Sequence, residues 1–403
     1  MPSVNKDPTN WLDCQLFQKV LAHHTADRTL EVDDVQLALQ GNAALQYAST
    51  IYQAIVSYRS RGNAESIKLI VKLISSKVNS VTDESSFDTE LNVYRDYLAK
   101  VDSVFGESNK SHFGPKLIYA ASEPTPYIIL EDLTSQQFVH CNKLLGLDDA
   151  KVVLMKLAQF HATSYSLNNS SKQSDVSNRA DNALFKQKAS EGMKFMQDNL
   201  GIFIEEVSQW QGYEKYAQRL TNILHTFVER GTAIYDPRVH EFNVLIHGDF
   251  HYNNMLFKFD SDNRVQDVLF YDFQLSCWTT PAVDLLYFLY FICDRETRNS
   301  QRQQLLQMYQ QEFTRTLNDI GHMGKGPALL DINCDLLQAG FLEVVIAICF
   351  VPFLFADYNH VTDVYIGKNE DARVYRRKLY SNEEYQAIIK PLLPHFLHKG
   401  FLD

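Results

Sequence analysis

The sequence predicts an α+β protein of two lobes. Strand-like segments crowd its first third, helical periodicities dominate its last third, and a strand pair stands alone near residues 255–272. The chain has 403 residues, enough for two or three domain-sized units with an ample core.

The elements follow in order. IKLIVKLI, 67–74, is a short apolar run that reads as a strand. Ser85 and Asp88 have capping-box spacing for the helix FDTELNVYRDYLAK, which carries Phe87, Leu91, Tyr94 and Leu98 on one face. PYIILE, 126–131, reads as another buried strand. DDAKVVLMKLAQFHATSYSL, from 148, is an amphipathic helix, and the Ser/Asn-rich stretch 168–182 reads as an exposed loop. Helical segments run on to about 236. In ALQYASTIYQAIVSY, 44–58, the positions Ala44, Tyr47, Ala48, Ile51 and Ile55 fit a helical face, so period alone favours a helix.

Composition narrows the function classes. A formal net charge of -11 argues against a nucleic-acid binder or a polybasic membrane-surface protein and leaves small molecules as partners. The six cysteines form no CxxC pattern, so neither a zinc site nor a disulfide framework is expected. FLEVVIAICFVPFLF, 341–355, is too short to span a bilayer and contains Glu343 and Pro352; it reads as a buried helix. No secretory signal is visible at the N-terminus, and the expected compartment is the reducing cytosol.

The chemistry concentrates in HGDFHYNN, His247 to Asn254. It reads as a polar turn, a metal site or a catalytic loop. After it, MLFKF and RVQDVLFYDF flank the turn-rich DSDN, a hairpin signature. Such a hairpin returns Asp272, at the end of its second strand, to Asn254 at the start of its first, with Asp249 nearby. Two carboxylates and an amide oxygen are hard ligands that suit magnesium. Phosphoryl transfer uses such a set: one carboxylate takes the acceptor's hydroxyl proton, while an asparagine and a second carboxylate hold the metal. Asp249 and Asn254 are five apart and His247 precedes Asp249 by two, as in the protein-kinase catalytic loop, and Asp272-Phe273-Gln274 stands where those enzymes have Asp-Phe-Gly.

HGDFHYNN with YDFQ resembles the kinase-fold small-molecule phosphotransferases, and most closely the ecdysteroid-kinase-like family. LAQFHATS at 157–164, IVKL around Lys72, FDTELNVY with Glu90, ILEDL at 129–133 and QYAS at 46–49 fit that family in the same order. The resemblance implies a protein-kinase-like fold: a strand-rich N-terminal lobe, 1–132, and a helical lobe, 133–403. It implies ATP and magnesium as cofactors. Lys72 would hold the nucleotide phosphates and pair with Glu90. Asp249 would be the catalytic base and Asn254 its partner in catalysis, with Asn254 and Asp272 on the metal. Ile129, Glu131 and Leu133 would lie in the hinge that meets adenine. Asp284 would brace the catalytic loop, and His247 would be structural. The loop from Gly41 to Ser49 would cover the phosphates, which makes 44–58 a strand with its loop, against the periodicity. There is no GxGxxG, so Ser49 or nearby amides would take the phosphates.

Lys68 lies two steps from Lys72 on the same strand face and is its rival. His161 reads as a satisfied core histidine. His251 reads as a loop-packing or acceptor-side residue, and Trp278 is either an acceptor wall or a core residue. Twelve positions separate Asp272 from Asp284, too few for a peptide-docking segment, and the long insert from about 165 to 240 is where small-molecule kinases build an acceptor pocket. The family resemblance implies as acceptor a hydroxyl of a small lipophilic molecule, such as an ecdysteroid or another sterol, or a xenobiotic. A cationic alcohol of the choline or aminoglycoside type is the alternative, as is an inactive kinase fold that only binds a ligand.

Overall fold

The computed structural model describes residues 10–40, 49–74, 81–105, 112–170, 191–356 and 370–403. They divide into two compact units, Met1–Ala99 with Gly114–Gln137, and Lys100–Phe113 with Phe138–Asp403. The chain is a mixed α+β protein, as its sequence predicts.

The first unit is built on a five-stranded antiparallel sheet in the order β1-β2-β3-β5-β4, from Glu31–Leu39, Ser49–Ser60, Asn63–Ile74, Tyr127–Glu131 and Leu117–Ala121 respectively. Helix α1, Cys14–Thr25, covers one face. Its Phe17, Val20 and Leu21 pack with Val56, Leu69, Val71 and Ile129. Burial alternates along β3: Leu69, Val71 and Leu73 enter this core, while Lys68 on the other face is exposed. Residues 49–58 are strand, so the helical reading of this stretch fails and the resemblance is right about it. Ala54, Val56 and Tyr58 are buried at a period of two, and the helix-compatible positions coincided by spacing alone. Residues 44–48, like the rest of the loop expected to cover the phosphates before Ser49, lie outside the described residues.

Helix α2 runs Val81–Asn92 and continues through a π-helical turn, Val93–Leu98. The Ser85–Asp88 pair therefore sits inside the helix and not at its start. Residues three apart are also neighbours on any helix surface, so the spacing did not locate the end. The wide turn rotates the buried face: Phe87, Glu90, Tyr94 and Tyr97 are buried, while Leu98 is only partly so.

In the second unit, α4, Leu147–Ser170, packs along α8, Arg295–Asp319. Residues 168–170 belong to α4 and not to the expected loop, whose remainder lies outside the described residues. Helices α5, Glu191–Val207, and α6, Glu214–Ile234, form the insert. Helix α7, Ala282–Phe291, is apolar on all sides except for Asp284, and all ten residues are buried. Residues 340–355 form α10, Gly340–Val345, followed by a π-helical and a 3-10 turn, and are largely buried. Among the described residues no single helix is long and apolar enough to cross a membrane.

Candidate active site

A pair of distant strands and a short hairpin hold the HGDFHYNN loop. Strand β6, Val244–Ile246, pairs with β9, Cys277–Thr279, and delivers the chain to His247. Strands β7, Met255–Phe259, and β8, Val265–Phe270, place Met255 opposite Phe270. The Tyr271 N–H donates to the Asn254 carbonyl at 3.1 Å, so the hairpin does return Asp272 to the end of the loop. Asp272 itself lies in the left-handed region at φ 65°, which places it at a sharp turn out of β8.

Gly248 is required by space as well as by conformation. Its φ is +86°, and a Cβ would lie 2.1 Å from the Leu275 carbonyl oxygen. The flanking amides are anchored below. His247 N–H donates to Asp284 Oδ2 at 2.6 Å and Gly248 N–H to Asp284 Oδ1 at 2.9 Å. Asp284 is fully buried, and His161 Nε2 donates to its Oδ2 at 3.1 Å. Because Nε2 faces a carboxylate, Nδ1 is the acceptor, and it receives the Tyr309 hydroxyl at 2.8 Å. His161 is thus a core histidine, as expected, but one that holds the aspartate that holds the loop. In the same LAQFHATS segment, the Ser164 hydroxyl donates to the His161 carbonyl and accepts the Leu245 N–H at 3.0 Å, tying α4 to β6.

His247 is buried, and burial pushes its pKa down, so the ring is neutral. Its Nε2 lies 3.0 Å from the Tyr271 carbonyl oxygen, which can only accept; the proton is on Nε2, and Nδ1 takes the Asp249 N–H at 3.4 Å. This is a structural hydrogen-bonding role.

Asn254 Nδ2 donates to both the carbonyl oxygen and Oδ2 of Asp249, each at 3.0 Å. Both partners are pure acceptors, so the amide orientation is fixed, and its oxygen is left for a cation. His251 Nε2 lies 3.2 Å from Asp249 Oδ2. Burial alone would raise the Asp249 pKa; chiefly the neighbouring His251 charge, with the hydrogen bonds from His251 and Asn254, outweighs it and holds the group below the ordinary carboxylate value. Burial pulls His251 down, but Asp249 and Asp272 prevail and raise it. Asp249 is therefore an ionised, oriented carboxylate, a quarter exposed.

Asp249 and His251 line a cavity of about 310 Å³ together with Tyr252, Asn253, Phe195, Tyr287, Phe291, Phe350, Phe353 and Leu354. Phe195 comes from α5, in the insert. Trp278 is not part of this wall; it is buried in β9 opposite Leu245. Apart from Tyr252 of the motif itself, the aromatic lining comes from α5, α7 and the turns after α10, far from the motif in sequence, and only the excess of Phe and Tyr hinted at it.

In the first unit, Lys72 Nζ and Glu90 Oε2 are 2.6 Å apart with both side chains buried. The pair is Lys72, not exposed Lys68. Ser49 opens β2 opposite Ile74, half-exposed. Ile129 is buried in the β5 ladder opposite Val71. Glu131 is partly exposed and accepts from Gln136, and Leu133 opens a 3-10 turn capped by Asp132. Among the described residues no three His, Cys, Asp or Glu side chains gather as a metal centre. Magnesium needs no such trio, since it commonly takes one or two protein groups plus substrate phosphates, and Asn254 with Asp272 fits that chemistry.

A mixed α+β chain with this loop, its bracing aspartate and its buried lysine–glutamate pair is a kinase-like small-molecule phosphotransferase. It belongs to the ecdysteroid kinase-like family, whose sequence profile matches residues 44–322. Among solved structures it is similar to a choline kinase from Cryptosporidium parvum Iowa II, at 14% identity and TM-score 0.49, over 97% of this chain and 98% of that one. An ethanolamine kinase from Plasmodium vivax matches at 12% identity and TM-score 0.39, over 87% of this chain and 83% of that one. The AMP-bound complex of a spectinomycin phosphotransferase matches at 11% identity and TM-score 0.37, over 92% and 98% of the two chains. Comparison with curated proteins gives no significant match.

Proposed function

We propose that the protein transfers the γ-phosphoryl group of ATP to a hydroxyl of a small, uncharged, lipophilic molecule such as a sterol or xenobiotic. The observation that carries this reading is the cavity beside Asp249, whose other described lining residues are mostly aromatic and include no further carboxylate. Among the described lining residues a cationic alcohol would find no second carboxylate. It would also meet His251, whose pKa is raised by Asp249 and Asp272.

In this reading the Asp249 carboxylate orients the acceptor hydroxyl and accepts its proton. The ionised form is the one needed, and the neighbours that depress its pKa keep it ionised at neutral pH. Asn254 fixes the carboxylate's rotamer, and Asp284 fixes the backbone beneath it. Lys72, positioned by Glu90, binds the nucleotide phosphates. Asn254 and Asp272 hold magnesium, which, when bound, neutralises charge on the phosphates. Ser49, Ile129, Glu131 and Leu133 are assigned to the nucleotide. The rate enhancement then comes from positioning and charge neutralisation.

The test is Asp249→Asn. It removes turnover of a hydroxylated acceptor, read as ADP release, and leaves magnesium–nucleotide affinity near that of the wild type. Wild-type turnover in this variant would refute the assignment.

A further inference from the structure

A second cavity, of about 280 Å³, lies in the same unit between the start of α8, Glu343 of α10 and the last helix, Glu383–His398. Arg295, Arg298 and Arg302 line it, and their spacing of three and four puts them on one face of α8. His395, Tyr290 and the apolar Ile388 and Leu392 complete the part that matters. Two of the arginines are accounted for. Arg302 makes a two-pronged contact with buried Glu343, at 2.5 and 3.0 Å, and Arg295 is exposed and donates to the Ala387 carbonyl at 3.0 Å.

Arg298 is not accounted for. It is 5% exposed, its Nε is enclosed without an acceptor, and it forms no ion pair among the described residues. Its guanidinium rests on the Tyr290 ring at 4.7 Å, a contact that satisfies none of its N–H donors. Burial presses against its protonated form, as Arg295 does, and outweighs the support it draws from Tyr290, Cys293 and Glu343. The one carboxylate lining the cavity, Glu343, already faces Arg302 and the Tyr290 hydroxyl. A buried cation with unused donors facing an open cavity costs several kcal/mol unless an anion joins it.

We propose that this cavity is a binding site for a small phosphate-type oxyanion, free phosphate or a phosphate monoester, held by Arg298 with help from Arg295. The planar fork of Arg298 matches two oxygens of such a group. Ile388 and Leu392 would meet the carbon side of a monoester. The site is separate from Asp249 and its cavity and shares no lining residue with it.

The experiment titrates inorganic phosphate, and in parallel butyl phosphate, into the full chain with its nucleotide site saturated by magnesium and a non-hydrolysable ATP analogue. Calorimetry and thermal unfolding are the readouts. The wild type shows one saturable site and a rising Tm. Arg298→Met weakens binding roughly ten- to hundredfold, the scale of lost charge-assisted hydrogen bonds. Without added anion it unfolds no earlier than the wild type, because it removes an unpaired buried charge. Arg295→Ala, at an exposed position, weakens binding less and serves if Arg298→Met does not fold. Tighter binding of butyl phosphate assigns the ligand to a monoester, and equal binding assigns it to free phosphate. No saturable binding to the wild type, or binding unchanged in both variants, overturns the proposal. So does an Arg298→Met variant that unfolds earlier without anion and binds phosphate as before, which marks a purely structural arginine.

Discussion

Replacing Asp284 with asparagine separates the brace of the catalytic loop from its shape. The side chain keeps its volume, but one carboxylate oxygen becomes an NH2 group. In the wild type those oxygens receive three buried donors, at 2.6 Å from His247 N, 2.9 Å from Gly248 N and 3.1 Å from His161 Nε2. Two donors share Oδ2, so the amide oxygen takes that place and the new NH2 faces the Gly248 N–H. One charge-assisted bond is lost and a buried donor is orphaned, about 3 kcal/mol in all. For a unit of this size that lowers Tm by about 5 °C. Scanning calorimetry reads the shift. Turnover falls further than stability alone explains, because the Asp249 backbone follows directly from the two freed amides. His161→Ala removes part of the same network, so the double variant costs less than the sum of the singles. A Tm within about 1 °C of the wild type would refute this account of the brace. So would fully additive singles.

Three other outcomes are expected. Gly248→Ala forces its backbone away from Leu275 or out of φ +86°, at roughly 2 kcal/mol or more; turnover collapses while magnesium–nucleotide affinity, measured by calorimetry, holds. Asp272→Ala makes nucleotide affinity insensitive to magnesium, and a magnesium titration like that of the wild type contradicts the metal assignment. Asp27 accepts from the Ser60 hydroxyl and from the Thr29 hydroxyl and amide, and these bonds lower its pKa from 3.8 to about 2. A depressed folded-state pKa stabilises above the unfolded value and is lost as pH falls through the folded one. The Tm advantage of wild type over Asp27→Asn is therefore full above pH 3.8 and shrinks toward pH 2; an advantage constant over that window contradicts the assignment.

What could be read from the sequence was local. Asn254 and Asp272 meet because a hairpin closes between them, and a hairpin announces itself by a turn between two apolar runs. The Asp249–Asn254 spacing is likewise confined to one loop. The bond from His161 to Asp284 spans 123 positions and no spacing encodes it; only the resemblance pointed to Asp284 as a brace. The same holds for the Phe195 to Leu354 cavity wall, and for Trp278, whose closeness in sequence to Asp272 did not put it there. Residues 49–58 misled because an apolar strand paired on both edges can satisfy a helical period by coincidence. The π-helical turn at Val93–Leu98 left no signal in the residues, although it is what buries Tyr97 in place of Leu98.

The most direct measurement of the central claim compares kcat/KM for two acceptors of equal size and one hydroxyl, one neutral and lipophilic, the other carrying a quaternary ammonium. The cavity beside Asp249 predicts turnover of the neutral alcohol, abolished in Asp249→Asn, and a large loss for the cation. Preference for the quaternary ammonium acceptor would contradict the account.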